Sequence, residues 1–323
     1  MLRHYAENPP GNIRLTTANS STSLEDLAYL IKYDSVHGKA PFPVSYGEDY
    51  LTLGSHRLDV VNNRDPARIP WKEHGIDIVL ECTGVFTKRI AAAAHITAGA
   101  SRVIISAPSA DADATFVIGV NERSFDPKKH HIVSNASCTT NSLAPVAKVL
   151  NDAFGIESLM MTTVHAYTAS QALVDDSART KRRGRAAAVS LVPSTTGAAE
   201  ATALTIPALK GKMHAMAIRA PVPDGAITDI VVHVGRHVTV QEVNDILKMA
   251  AENELAGIME YCEDELVSAD IIGNPHSAII DASSTAVVNG NVVKVMAWYD
   301  NEWGYARRLL DLASYIAGRM EAG

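Results

Sequence analysis

Residues 134–141 read SNASCTTN, and the apolar residues that follow, Leu143, Val146, Ala147, Leu150 and Phe154, recur at helical spacing. Ser137, Thr139 and Thr140 cluster where helix caps belong, so the spacing predicts a helix that begins at Cys138. Upstream of it, short apolar runs alternate with helical stretches. IRLTTAN (13–19), IDIVLECTG (76–84) and VIISAP (103–108) read as strands; LEDLAYLIKY (24–33) and the alanine-rich stretch 90–98 read as helices. That alternation is the pattern of an α/β domain with a parallel sheet and crossover helices. Several strands end in small or polar residues, where an open α/β sheet takes its ligand. From Leu159 onward the strands lengthen, as in MHAMAIRAPV (213–222) and ITDIVVHVG (227–235), around an amphipathic helix EVNDILKMAAENE (242–254). This second part reads as α+β, which puts the domain boundary near Cys138. The last helix, RRLLDLASYIAGRM, carries an apolar stripe at Leu309, Leu310, Leu312, Ala313 and Ile316 that needs a partner.

The same octapeptide carries chemistry. A thiol needs a base to ionise at neutral pH, and the positive end of a helix dipole lowers the cost of the thiolate. Cys138 stands at such a helix start, and His165 closes the apolar run LMMTTVHAY. Taken alone, a cysteine is usually a small buried hydrophobe, and a histidine ending a strand is usually structural. Composition narrows the alternatives. The chain has 323 residues, 47% of them hydrophobic, enough for two cores. A net charge of −7 offers no positive face for nucleic acid or membrane. The basic cluster Lys181, Arg182, Arg183 and Arg185 reads as solvated surface. Cysteines at 82, 138 and 262 have no paired spacing, so neither a disulfide framework nor a metal site is expected, in keeping with a reducing cytoplasm. Cys82 is expected to be shielded in its apolar strand. No 18-residue apolar span occurs, and the start MLRHYAENPPG lacks the apolar core of a secretory signal.

SNASCTTN resembles the active-site signature of the phosphorylating glyceraldehyde-3-phosphate dehydrogenases. KYDSVHG (32–38), CTGVFTKR (82–89), TTVHAYT (162–168), STTGAA (194–199) and WYDNEWGY (298–305) match that family in the same order. The resemblance implies a Rossmann-like cofactor domain, residues 1–137 and 301–323, with a catalytic domain at 138–300, a homotetramer, and the last helix packed on the cofactor domain. It implies Cys138 as the nucleophile that adds to an aldehyde and His165 as its base. Thr168 and Arg219 fall where the family holds the phosphate of a small phosphorylated aldehyde. Ser137, Thr139, Thr196 and Gly197 fall where it holds attacking inorganic phosphate. The family's acidic residue two positions after that threonine is Ser170 here.

The cofactor positions match less evenly. No GxGxxG occurs, and relative to the family the first strand and its glycine-rich loop are lacking, so the chain as written is expected to bind dinucleotide poorly, leaving strand edges unpaired. The natural start is expected to lie upstream of Met1. Asn19, Ser20, Thr83, Gly84, Ser106, Asn301 and Tyr305 fall at cofactor positions; the resemblance puts Asn301 on the nicotinamide amide and Thr83 near the adenosine half. Ser20 stands where a carboxylate would bind the ribose 2′-hydroxyl of NAD and repel a 2′-phosphate. Asp176 and Ser177 replace the family's NAD-type Leu-Pro pair, and the balance favours NADP or dual NADP and NAD use. Two rivals share features: erythrose-4-phosphate dehydrogenase, which also carries SNASCTTN and an NEWG block, and an impaired homologue acting as a binding or assembly subunit.

Overall fold

The computed structural model describes residues 1–320; the last three residues of the 301–323 segment lie outside the described residues. The contacts divide the chain into two compact units: Met1–Phe116, Glu122–Ala136 and the residues from Ala306 on form the first, Val117–Asn121 and Ser137–Tyr305 the second. The first contains α1 (Leu2–Glu7), β1 (Thr17–Asn19), α2 (Leu24–Lys32), a small hairpin of β2 (Tyr33–Asp34) and β3 (Gly38–Lys39), β4 (Val44–Tyr46), β5 (Tyr50–Leu53), β6 (His56–Val61), β7 (Ile78–Glu81), α3 (Arg89–Thr97), β8 (Arg102–Ile105), β9 (Ala114–Thr115) and β10 (Ile132–Ser134). Helix α2 starts where Ser23 accepts the Asp26 amide at 3.1 Å, a cap worth about 1 kcal/mol.

These strands do not form one sheet. They form two four-stranded sheets, ordered β1-β6-β5-β4 and β7-β8-β10-β9, the second parallel throughout. The outer strands β1 and β7 both border a cavity of about 820 Å³ lined by Leu15, Thr17, Ile78, Leu80, Ala313 and Ala317. This fits the run 13–19 being a strand only from Thr17: the first bond to β6 is from the Asp59 N–H to the Thr16 carbonyl, and residues 13–15 before it border the cavity, where extended backbone lacks a ladder partner. The last helix packs here, with Leu309, Leu310, Leu312, Ala313 and Ile316 buried and Ser314 bonded to Asn12 through side chain and carbonyl.

The second unit contains α4 (Cys138–Phe154), β11 (Ile156–Ala166), β12 (Val192–Thr195), α5 (Ala198–Thr205), β13 (Met213–Ala220), β14 (Ala226–Val234), α6 (Val240–Glu252), β15 (Met259–Cys262), β16 (Ala278–Val288), β17 (Val292–Tyr299) and the start of α7 (Trp303–Met320). Its seven strands form one mixed sheet in the order β12-β13-β11-β14-β17-β16-β15. Leu143, Val146 and Leu150 of α4 and Val243 and Leu247 of α6 pack with Ile230, Val232, Val293 and Val295 of the sheet in one core. Helix α6 opens on a capping box between Thr239 and Glu242, and α4 closes on Gly155 at φ +70°, a left-handed turn that favours glycine. No helix among the described residues is long and apolar enough to cross a membrane.

Both β1 and β7 are edge strands that border the cavity. Their cavity-facing amides are expected to exchange hydrogen faster than those of β8 and β10, which have neighbours on both sides. Equal protection in a native-state exchange experiment would show that both edges are covered.

Candidate active site

Strand β11 runs parallel to β13 and antiparallel to β14, and its register sets His165 beside Arg219. Side chains alternate across a strand, so His165 shares the buried face of Leu159, Met161 and Thr163. Helix α4 packs on that face, and its first residue is Cys138. Ser137 caps the helix, its hydroxyl accepting the Thr140 amide at 3.1 Å. Ala136, just before the cap, sits at φ +56°, a left-handed conformation that costs a side-chain-bearing residue about 1 kcal/mol or more. The helix start is tied down by Thr139, whose hydroxyl bonds Tyr299 Oη at 3.0 Å; the same oxygen bonds Thr163 at 2.8 Å. Tyr299 also sets its ring edge-on against His165, with centroids 5.9 Å apart. Its buried phenol is pushed well above the usual range.

Cys138 Sγ lies 3.5 Å from His165 Nε2. On the other side of the ring, Nδ1 lies 2.8 Å from the Ala166 carbonyl and 2.6 Å from Arg219 Nη1. The carbonyl can only accept and the guanidinium can only donate, so the two contacts favour opposite tautomers; the one a base requires carries its hydrogen on Nδ1, toward the carbonyl, with the Nε2 lone pair facing the thiol. Arg219 Nη1 donates to the same carbonyl at 3.1 Å. Burial and the adjacent Arg219 guanidinium lower the His165 pKa to about 4. Burial likewise pushes the Cys138 thiol up, against the pull of Thr139 and Arg219, so the helix start alone does not create a ready thiolate. Each group by itself resists charging. Transfer of the thiol proton to the imidazole creates opposite charges that stabilise each other, so the two titrate as a pair.

Arg219 is half-buried, and its Nε is a buried donor without a hydrogen-bond partner among the described residues, as an anion site requires. Thr168 bonds Ser170 at 2.8 Å, and Ser170 accepts from Arg183 Nη1 at 2.8 Å. Arg183 also donates twice to Ser194, at 3.0 and 2.8 Å. The sequence reading of the 181–185 cluster as solvated surface therefore fails at Arg183, which is half-buried, while Lys181, Arg182 and Arg185 are exposed. Its partners are 11 and 13 residues away in sequence, and only its position between STTGAA and the TTVHAYT block hinted at this. No local signal points to Tyr299 either, although it lies in WYDNEWGY. Thr196 and Gly197 stand at the start of α5, where Gly197 is the N-cap residue. Cys82 corrects a further expectation: β7 ends at Glu81 and the chain bends away, leaving Cys82 exposed.

Of the cofactor positions, Asn19, Ser20, Thr83, Gly84 and Ser106 belong to the first unit and Asn301 and Tyr305 to the second. Asn19 spends both amide atoms on the backbone of Asn63, at 3.0 and 2.9 Å, and Ser20 accepts the Thr22 amide, so these two shape the end of β1. Asn301 Oδ1 is a buried acceptor without a partner among the described residues, which fits the amide hydrogens of a nicotinamide. Gly84 takes φ +70° and leaves the backbone beside Thr83 open.

A parallel-stranded unit of nucleotide-binding type, joined to a mixed-sheet unit with a thiol, an imidazole and a guanidinium in contact, is the build of a cysteine-dependent dehydrogenase. Residues 1–89 match the glyceraldehyde 3-phosphate dehydrogenase NAD-binding domain and residues 137–301 the C-terminal domain of the same family. The chain is 51% identical over 319 residues to glyceraldehyde-3-phosphate dehydrogenase of Geobacillus stearothermophilus, covering 99% of this chain and 95% of the relative. It is 50% identical over 309 residues to glyceraldehyde-3-phosphate dehydrogenase 2 of Bacillus subtilis, covering 96% and 91%. It belongs to the glyceraldehyde-3-phosphate dehydrogenase family.

Cys138→Ser is expected to remain folded and lose essentially all aldehyde oxidation, because an alkoxide is far harder to form than a thiolate. His165→Asn should slow turnover by about 10²- to 10⁴-fold and move alkylation of Cys138 to higher pH, since burial then acts on the thiolate without an imidazolium to offset it. An unaltered pH profile of Cys138 labelling, read by mass spectrometry so that exposed Cys82 is counted separately, would exclude the pair.

Proposed function

We infer that the protein oxidises glyceraldehyde 3-phosphate to 1,3-bisphosphoglycerate with inorganic phosphate and a nicotinamide dinucleotide. The 3.5 Å contact of Cys138 Sγ with His165 Nε2, with Arg219 against the same ring, carries this reading. It also weighs against an impaired subunit, since the chemical groups are assembled. The first unit takes the role of the dinucleotide-binding domain and the second that of the catalytic domain.

The derivation follows from the geometry. His165 Nε2 takes the thiol proton as Sγ adds to the aldehyde carbon and returns it to the carbonyl oxygen, giving a neutral thiohemiacetal on Cys138 and a free imidazole. The bound dinucleotide supplies the hydride acceptor. His165 holds the proton released from the thiohemiacetal hydroxyl as the carbon becomes a thioester. Attack by phosphate then releases the acyl phosphate and returns the thiol. Arg219 and Thr168 bind the substrate phosphate, with Arg183 reaching the same place through Ser170, while Ser137, Thr139, Thr196 and Gly197 hold the attacking phosphate. Asn301 holds the nicotinamide amide. The site for attacking phosphate, at STTGAA, favours the phosphorylating enzyme over an erythrose-4-phosphate dehydrogenase; the substrate-phosphate site suits either aldehyde.

The finer reading of the cofactor is NADP or dual use, resting on Ser20, a half-buried hydroxyl where a carboxylate would exclude a 2′-phosphate. A homotetramer in the cytoplasm fits the uncovered face of the seven-stranded sheet, where Met160 and Val231 are exposed opposite each other and Val164 is exposed further along the same face, and three cysteines that remain free.

Arg219→Ala is expected to weaken kcat/KM for phosphorylated aldehydes by about 10- to 100-fold or more and to affect unphosphorylated ones far less. Equal losses on both would remove Arg219 from the phosphate site. Ser20→Asp should reduce NADP use more than NAD use, because the carboxylate repels the 2′-phosphate and pairs with a free 2′-hydroxyl. Parallel changes for both cofactors would mean that position 20 does not face the ribose.

A further inference from the structure

A chain of buried polar side chains lies at the end of β7, within the first unit. Trp71, Glu81 and His95 are all buried. The Trp71 indole N–H donates to His95 Nδ1 at 3.0 Å. An indole can only donate, so Nδ1 carries no hydrogen and Nε2 does. That hydrogen is given to Glu81 Oε2 at 2.9 Å. Glu81 Oε1 accepts the Thr83 backbone N–H at 2.8 Å and also the Thr83 hydroxyl. Burial would raise the Glu81 pKa, but the hydrogen bonds from His95 and Thr83 outweigh it and hold the carboxyl below its usual range. Glu81 is therefore a carboxylate and an acceptor only.

This commits the one hydrogen of the Thr83 hydroxyl. Of the two lone pairs on its oxygen, one takes the Val85 N–H at 3.1 Å. The other remains, on an exposed residue beside the open backbone of Gly84. We propose that Trp71, His95 and Glu81 are positioning residues that fix Thr83 as a hydrogen-bond acceptor, so that the part of the dinucleotide it receives is a ribose hydroxyl and not a phosphate. A hydroxyl brings a hydrogen to the remaining lone pair. A phosphate dianion brings only lone pairs and meets the Glu81 charge as well. The proposal deepens, and rests on, the reading of Thr83 as a cofactor residue.

The test is NAD binding to the whole protein by calorimetry, with Thr83→Val, Thr83→Ser, Glu81→Gln and the double variant Glu81→Gln/Thr83→Val, and with NAD analogues lacking single ribose hydroxyls. Thr83→Val is expected to weaken NAD by about 3- to 10-fold, the worth of one hydrogen bond, and Thr83→Ser to leave it near the unaltered value. Glu81→Gln should weaken NAD by a comparable factor, and the double variant should be no weaker than Thr83→Val, since both changes remove the same bond. One deoxyribose analogue should bind the unaltered protein and Thr83→Val equally. The rate of Cys138 alkylation, unchanged throughout, reports that the second unit is intact. If Thr83→Val leaves NAD affinity unaltered, the reading of Thr83 as a cofactor residue fails and takes the proposal with it. If Thr83→Val weakens NAD while Glu81→Gln does not, or their losses multiply, the proposal alone is overturned. Should Glu81→Gln not fold, Trp71→Phe replaces it. Loss of the indole donor is expected to weaken NAD by a smaller factor that disappears in the Thr83→Val background, and a factor that persists there overturns the proposal.

Discussion

The parallel pairing of β11 with β13 is the constraint on which the site depends. It runs without a shift from Leu159 opposite Met213 to Ala166 opposite Ala220, and it brings His165 and Arg219 into register at its far end. The side-chain period of a strand is two, so a one-residue slip would turn His165 onto the face that exposes Met160 and Val164 and leave Cys138 without its base. The apolar core beneath α4 resists that slip, because Leu159 and Met161 would leave it together with His165. Catalytic geometry and core packing are thus specified by the same register.

The electrostatics of the cluster are strained in a directed way. Arg219 sits against the imidazole with no carboxylate among its hydrogen-bond partners in the described residues; His165 is buried and Arg219 half-buried. Two like charges at about 4 Å repel by roughly 4 kcal/mol at an effective dielectric of about 20. An anion seated on Arg219 offsets that field at His165. On the proposed reading, binding of phosphate and readiness of the base are linked through a single guanidinium, whose buried Nε has no hydrogen-bond partner among the described residues.

Much of this was legible in the sequence wherever the signal was local. The start of α4 at Cys138, the cap on Ser137, the helix 24–32 and the amphipathic α6 all follow from spacing and cap chemistry within a few residues. What local reading missed depends on distant partners. Arg183 lies in a run that looks solvated, and only folding of the chain brings Ser170 and Ser194 to it. Tyr299 lies 160 residues from Thr139 and 136 from Thr163. The run 13–19 has strand composition throughout, yet only Thr17–Asn19 pair, because strand formation needs a neighbour that composition cannot supply. Glu81, His95 and Trp71 carry no motif of their own, and their connection appears only once α3 is laid beside the end of β7.

The orientation of the His165 ring has a further consequence. The acceptor that serves the base-competent tautomer is the carbonyl of Ala166, the last residue of β11. Where an aspartate side chain holds a catalytic histidine, one codon change can delete the orienting group. Here the orienting oxygen belongs to the main chain, which every amino acid supplies. Mutation at position 166 can alter packing but cannot remove that acceptor, so this element of the chemistry is insulated from sequence drift and is lost only if the strand itself comes apart.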